Sequence, residues 1–381
     1  MAYFDNNATT RPFPSVRSAY VKALQESWSN PSSPNRSSAK VRAKLNSVRE
    51  SLAGSLGISS DSITFTSGAT EANNSILAHA AHLAEPDAPA LISSIEHPSV
   101  SESARHWFSD RVRIIPVEPS GLIDLDRFSD ILDTLPGLAI VSLMAVNNET
   151  GVLQPWFEAA ELCRKRGIRF HCDATQWVGK LPLDDLAICA SITASAHKFG
   201  GLKGVGLLAS KEPHPFVFGG SQENGRRGGT ENYPGIEAMS VAWHLVNDRL
   251  PELSQRSSWR DSFEETMFAN FPDMKILGID APRLWNTSTF VMPKFENLRY
   301  IGKLDNLGFE VSTGSACSSG PSKQSSIPLV MGFSEAETKR LIRVSSYVDQ
   351  TEEDWQALSL AFEQARDELG REASDSSIIS L

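Results

Sequence analysis

Lys198 stands in residues 191–208, SITASAHKFGGLKGVGLL, where an apolar run ends in Ser195-Ala196-His197-Lys198 and a glycine-rich turn leads into a second apolar run. A lysine amine is a nucleophile only when its ammonium can lose a proton, and partial burial lowers the pKa toward that point. This lysine occupies a tight turn between two candidate strands, with a hydroxyl, an imidazole and glycines at 200, 201, 204 and 206 beside it. An amine so placed is suited to a Schiff base with an aldehyde cofactor. Solvated surface lysines also sit beside glycine turns, so the remaining chemistry-bearing residues decide the reading.

Asp173, in His171-Cys172-Asp173-Ala174-Thr175-Gln176, closes another apolar strand. A carboxylate at a strand's C-terminal end faces the crevice where open α/β sheets bind ligands. With pyridoxal phosphate as the aldehyde, it would keep the ring nitrogen protonated and make the ring an electron sink; the plain alternative is an Asp that caps the next turn. Asp173 and Lys198 are 25 positions apart, room for one crossover and a neighbouring strand, which brings both to the same crevice. Ser67-Gly68-Ala69-Thr70 separates a strand from a helix and offers backbone N–H groups to a phosphate, or simply starts a well-capped helix. Nothing in the chain matches a Walker loop or a G-x-G-x-x-G fingerprint.

Four further positions follow the same logic. His97, in Ile95-Glu96-His97-Pro98, can stack on a flat ring or shuttle protons, or be a satisfied structural group. Asn147-Asn148-Glu149-Thr150-Gly151 follows the most apolar strand, either presenting an amide to a ring oxygen or forming an Asx turn. Cys317, in Gly314-Ser315-Ala316-Cys317-Ser318-Ser319-Gly320, lies on a small-residue loop where a thiol can react, whereas Cys163, Cys172 and Cys189 read as core. Arg343, in the apolar strand 341–345, can grip a carboxylate with its fork or form an ordinary surface salt bridge.

The elements that must position these residues follow from periodicity. Residues 15–250 alternate apolar strands with helical patterns, as in a mostly parallel sheet covered on both faces. Strands are expected at 63–66, 90–95, 112–117, 139–146 and 168–172, and helices at 71–83 and 156–166, the last stopped by Gly167. Residues 1–14 and 251–381 are expected to form a smaller domain that carries the Cys317 loop. It has strands at 287–292 and 341–345, and capping boxes at Ser334-x-x-Glu337 and Thr351-x-x-Asp354. The last helix is expected to end near Leu369, with a loose tail from Ser374. At 381 residues the chain can bury two cores, and its net charge of −10 argues against nucleic acid as the main partner. The start, MAYFDNNATT, has no signal-peptide pattern, no apolar run spans a bilayer, and no Cys-x-x-Cys suggests a metal site; a reducing cytoplasm fits.

Taken together, these stretches resemble the cysteine desulfurases, fold-type-I pyridoxal-phosphate enzymes of the class-V aminotransferase family. The resemblance is carried in order by Phe4-Asp5-Asn6-Asn7-Ala8-Thr9-Thr10, Asn30-Pro31-Ser32-Ser33, the run FTSGATEANN at 65–74 and Glu96-His97-Pro98. It continues through NNETG at 147–151, Asp173 to Gln176 with Gly179-Lys180, Ala196-His197-Lys198, RGGTEN at 227–232, GSAC at 314–317 and Arg343-Val344-Ser345. It implies a large domain with a seven-stranded, mostly parallel sheet and a smaller α+β domain. By the resemblance Lys198 holds the cofactor and moves the substrate's α-proton, Asp173 pairs with the ring nitrogen, and Asn148 and Gln176 contact the phenolic oxygen. His97 stacks on the ring and assists acid–base steps. Ala69, Thr70, Ser195 and His197 hold the phosphate, with Thr230 from a second subunit of a homodimer. Arg343 and Asn148 meet the substrate, L-cysteine, and Cys317 takes its sulfur as a persulfide for a protein acceptor such as an iron–sulfur scaffold. A selenocysteine lyase, a cysteine C–S lyase or an aminotransferase of the same fold would share the lysine and the carboxylate. A non-enzymatic assembly subunit would need neither, nor His97 and Cys317.

Overall fold

The computed structural model describes residues 1–212, 215–314 and 327–378, with side chains as far as 374. The chain opens with a short strand, β1 (Ala2–Tyr3), and two helices, α1 (Pro14–Glu26) and α2 (Arg36–Leu56). Pro14 starts the first; the Asn35 side chain, accepting from the Ser38 N–H, starts the second, and left-handed Gly57 ends it. Strands and helices then alternate: β2 (Ile63–Thr66), α3 (Ala69–Leu83), β3 (Ala90–Ser93), α4 (Pro98–Phe108), β4 (Val112–Ile115) and α5 (Leu125–Thr134). After β5 (Ile140–Ser142), α6 (Trp156–Lys165) and β6 (Phe170–Asp173) come β7 (Ser191–Ser195), β8 (Gly206–Ser210) and the long helix α7 (Tyr233–Ser254).

Among the described residues seven strands form the main sheet, in the order β2-β8-β7-β6-β5-β3-β4. The mostly parallel sheet expected from the sequence is present. Strands β4, β3, β5, β6 and β7 run parallel, and β8 is antiparallel to both β7 and β2, so β2 points the same way as the parallel set. All but edge strand β4 are buried along their length, because helices cover both faces; this is why they read as continuous apolar runs rather than alternating ones. The shared direction has a functional result. The chain leaves β2, β3, β5, β6 and β7 at one edge, and there it delivers Ser67 to Thr70, His97, Asn148, Asp173 and Lys198.

The remaining elements build a second core. They are α8 (Ser257–Asn270), β9 (Lys275–Ile276), β10 (Thr287–Val291), α9 (Asn297–Asn306) and β11 (Phe309–Glu310), then α10 (Ile327–Val330), α11 (Glu335–Thr338), β12 (Leu341–Ser345) and α12 (Glu352–Ile378). Strands β12, β10 and β9 form an antiparallel sheet, and β1 pairs with β11 in parallel. Phe4 is buried among Phe263, Phe290, Trp355 and Phe362, so the start of the chain packs in this core, whereas Phe13 joins the core of the main sheet.

Two expectations need correction. The apolar run 139–146 is ladder-paired as a strand only over β5; beyond Ser142 it bends, although Leu143 and Ala145 still donate to the carbonyls of His171 and Asp173. The last helix does not stop near Leu369 and leave a tail from Ser374: α12 continues to Ile378. Its added turns are held by ion pairs from α9, Lys303 to Glu368 (3.3 Å) and Glu372 (2.6 Å) and Arg299 to Glu372 (3.0 Å). Both capping boxes are present, Ser334 with Glu337 and Thr351 with Asp354.

Candidate active site

The five strand ends enclose a cavity of about 360 Å³ lined by Lys198, Asp173, His97, Asn148, Gln176, Ala69, Thr70, Ser195 and His197. A second depression of about 370 Å³ lies between α2 and residues 221–231, but its main buried charges, Arg49 and Glu223, already satisfy each other in a two-pronged pair at 2.8 Å. It gathers no reactive group, so the strand-end cavity is the candidate site.

Lys198 sits on a single helical turn, Ala196–Lys198, directly after β7. Its Nζ donates to the carbonyl oxygens of Asn7 (2.6 Å) and Ala8 (2.8 Å), both from the N-terminal stretch. That stretch also clamps the turn: Thr10 N–H donates to the His197 carbonyl and Gly200 N–H to Thr10 Oγ1 (2.7 Å). Burial, with Lys198 and other cations adding, lowers the His197 pKa to about 4, so this imidazole is neutral near pH 7.

Asp173 is held from α3. Asn73 Nδ2 donates to Asp173 Oδ2 (2.9 Å) and to Ser99 Oγ (2.8 Å). A carboxylate only accepts, so the Asn73 oxygen faces the other way, taking bonds from Thr193 Oγ1 (2.7 Å) and His171 Nε2 (3.1 Å). Nε2 therefore carries the His171 proton; burial lowers this pKa to about 4, against the pull of Asp173. Asn73, His171 and Thr193 are all fully buried. From Ser99 the network reaches His97, whose Nδ1 accepts from the Ser99 N–H (3.1 Å) and lies 2.8 Å from Ser99 Oγ. His97 thus caps α4 as well as lining the cavity. Burial lowers its pKa; Asp173 raises it and Lys198 lowers it further.

Asn147 and Asn148 divide the two readings of NNETG. Asn147 Oδ1 accepts from the N–H groups of Glu149 (3.0 Å) and Thr150 (2.9 Å), an Asx turn that pushes Asn148 to the cavity wall. The Asn148 Oδ1 is buried without a hydrogen-bond partner. Helix α3 begins at Gly68 with no side-chain cap, leaving its first N–H groups as an anion site beside Ser195. Residues of these kinds fit a flat, hydrogen-bonding ring with a phosphate tail: an anion cradle at one end, a carboxylate and an unmet amide along the wall, and an amine.

Two expected residues, Arg343 and Thr230, do not line this cavity. Arg343 is 1% exposed, so it is no surface salt bridge. It stands behind Asn148, donating to the carbonyls of Asn148 (2.9 Å) and Gly314 (2.7 Å) and pairing with Asp5 at 2.5 Å, while its Nε is buried without a partner. Thr230 is exposed and lines a separate small cleft with Phe65 and Arg227. Cys317 lies outside the described residues. Cys163, Cys172 and Cys189 are buried, and burial drives the Cys163 thiol up to about 12, as expected of inert core thiols. Sequence reading assigned no role to Asn73, Ser99, Lys180 or the carbonyls of Asn7 and Ala8. All but Ser99 fall inside the motifs that carried the resemblance, which was the available signal.

Residues 2–358 match the family model described as "Aminotransferase class-V". A cysteine desulfurase of Enterobacter agglomerans is 35% identical over 362 residues, covering 93% of this chain and 90% of the relative. Among solved structures, a NifS-like protein superposes with a TM-score of 0.87 at 28% identity, covering 96% of this chain and 99% of that one. Another, SspA in complex with cysteine, gives a TM-score of 0.78 at 28% identity over 91% of this chain and 98% of the other. Likeness along nearly the whole length, in sequence and in architecture, means that the chain belongs to the class-V aminotransferases and, among them, to the cysteine desulfurases, enzymes that work with pyridoxal phosphate.

Proposed function

We propose that the protein takes sulfur from L-cysteine, releases L-alanine and keeps the sulfur as a persulfide on Cys317. The substrate's C–S bond breaks and an S–S bond forms; one thiol proton ends on the alanine methyl carbon and the other on the persulfide. When bound, pyridoxal phosphate supplies an electron sink for charge that develops next to the amino group. Lys198, whose amine now donates to the carbonyls of Asn7 and Ala8, would hold the cofactor and move the substrate's α-proton. Asp173 would keep a proton on the ring nitrogen, His97 would stack on the ring, and Asn148 and Gln176 would meet its phenolic oxygen. Ala69, Thr70, Ser195 and His197 would hold the phosphate, and Arg343, which stands behind Asn148 with its Nε unpaired, is the cation for the substrate carboxylate.

One observation carries the reading: Lys198, Asp173 and the uncapped start of α3 converge on one cavity, with the unmet Asn148 amide on its wall. The thiol's role is supported by Gly314, three positions before it in the chain, whose carbonyl shares the Arg343 guanidinium with the Asn148 carbonyl on the cavity side. A relative solved with cysteine adds support for the substrate. We further infer a homodimer in which Thr230 serves the partner's cavity, consistent with exposed Trp28 and Phe218 on the surface. Delivery to a protein acceptor in a cytoplasmic setting completes the reading; among the described residues no helix is long and apolar enough to cross a membrane.

The test is incubation with L-cysteine and a reductant, measuring alanine and sulfide together. Lys198→Ala is expected to abolish both products, and Cys317→Ala to lower both by at least about a hundredfold. Undiminished alanine formation by Cys317→Ala would instead identify a lyase.

A further inference from the structure

The site contains one buried cation that the chemistry above leaves unused. Lys180 is 1% exposed, in the turn after β6, and is anchored there by Trp285 Nε1 donating to its carbonyl (3.0 Å). Burial pushes its pKa well below the ordinary lysine value, and Lys198 and Arg343 push it further. Among the described residues no carboxylate accepts from it; its hydrogen-bond partner is Gln176 Oε1, four residues earlier. A buried lysine without a carboxylate costs stability whether its amine is charged or neutral, and an apolar side chain of similar shape generally costs less. Its retention calls for another reason.

The reason lies in the direction of one amide. The Asn7 carbonyl can only accept, so Gln176 points its NH2 at Asn7 and its oxygen at Lys180, whose Nζ donates to it. That NH2 donates to the Asn7 carbonyl (2.9 Å), the same oxygen that Lys198 Nζ reaches at 2.6 Å. Lys180, Gln176, Asn7 and Lys198 therefore form one hydrogen-bonded line into the cavity. We propose that Lys180 is a positioning residue that locks the Gln176 amide with its NH2 facing the Lys198 side of the site, so that this amide donates to the cofactor ring and never accepts. The inference rests on the proposed seating of pyridoxal phosphate on Lys198.

A measurable consequence follows. Donation to the ring oxygen stabilises its anionic form, which lowers the proton affinity of the nitrogen joining Lys198 to the cofactor. Without Lys180 the amide can turn its oxygen inward, and that nitrogen holds its proton more tightly. The other charged or titratable groups around Lys198 are Glu71, Asp173, His97, His197 and Lys203 on the cavity wall, with Arg343 and Asp5 behind Asn148. Substitution at Lys180 leaves all of them in place.

The test titrates the visible absorbance of the cofactor-loaded protein against pH. Lys180→Met is expected to move the midpoint up by about one pH unit, roughly tenfold in proton affinity. Gln176→Leu should move it by a similar amount, and the double variant no further, since Lys180 acts through Gln176. An unmoved midpoint in Lys180→Met, or additive shifts in the double variant, overturns the assignment while the cofactor reading stands. A wild-type protein that takes up no colour overturns both. Lys180→Leu repeats the test with a second apolar side chain, and loss of folding in both variants also overturns the proposal, because it makes the lysine a structural requirement.

Discussion

Asn73 shows how much of the site hangs on one side chain that touches no reacting atom. Its amide gives two hydrogen bonds, to Asp173 and Ser99, and takes two, from Thr193 and His171, all within the core. Replacing it with leucine keeps the approximate volume but strands four buried partners. Asn73→Leu is expected to destabilise the protein by about 3 kcal/mol, because each buried polar group left alone costs on the order of 1–3 kcal/mol and some will find new partners. Cofactor affinity should fall at least about tenfold as Asp173 loses its anchor. Denaturant unfolding and pyridoxal-phosphate titration check the two effects, and unchanged affinity would mean that Asp173 is held by other groups. In the sequence Asn73 and Asn74 look alike. One helical step separates them, and that step turns Asn73 to the carboxylate while Asn74 donates to the Thr70 carbonyl on the exposed side.

At the level of elements, the lysine turn depends on Gly200. This residue has φ +81°, in the left-handed region, and a Cβ there would overlap the Phe13 ring. Phe13 is fixed in turn by its own N–H donating to the Gly200 carbonyl (3.1 Å). Gly200→Ala is expected to cost about 3 kcal/mol, combining left-handed strain with overpacking. It should also weaken cofactor uptake, since Lys198 stands two residues away. Thermal unfolding alongside uptake tests this; a variant as stable as wild type would show that Phe13 can yield. The glycine cluster was visible in the sequence, but the residue that forbids a side chain lies 187 positions earlier in the chain. Helix starts were equally legible, because both capping boxes are local patterns. The end of α12 was not, because the ion pairs that extend it come from α9.

Across the whole molecule, buried titratable groups give stability a pH dependence whose sign can be worked out. His171 and His197 have pKa values lowered to about 4 in the folded protein. Between there and the ordinary imidazole value of about 6.5, the unfolded chain binds protons that the folded one refuses, so stability falls as pH falls. Glu96 acts in the opposite sense. Burial, opposed by hydrogen bonds from Ser93 and Met144 but reinforced by Asp173, raises its pKa to about 8. The folded protein then keeps a proton that the unfolded chain has already lost, and stability falls as pH rises from about 4.5 to 8. His97, also lowered by burial, acts in the same sense as these two histidines, and together they outweigh one carboxyl below the ordinary imidazole value, so the apoprotein should lose at least about 1.4 kcal/mol per pH unit on acidification there. On the alkaline side the lowered Lys180 pKa works against Glu96. Comparing urea unfolding of wild type and Glu96→Gln isolates the carboxyl: the variant's advantage should grow with pH up to about 8. Parallel profiles would show that Glu96 is ionised in the fold.

Sequence alone determined which residues arrive at the crevice. Each of His97, Asn148, Asp173 and Lys198 follows an apolar strand, and parallel strands joined by crossovers all end at one edge, so local patterns suffice to bring these groups together. What they touch was decided only in three dimensions. Asp5 meets Arg343 across 338 positions, Asn7 meets Lys198 across 191, and Lys180 reaches Gln176 in a buried turn. Such contacts depend on how elements pack on one another, which leaves no period or spacing in the chain. A polar residue bound for the core is therefore written there in the same letters as one bound for water.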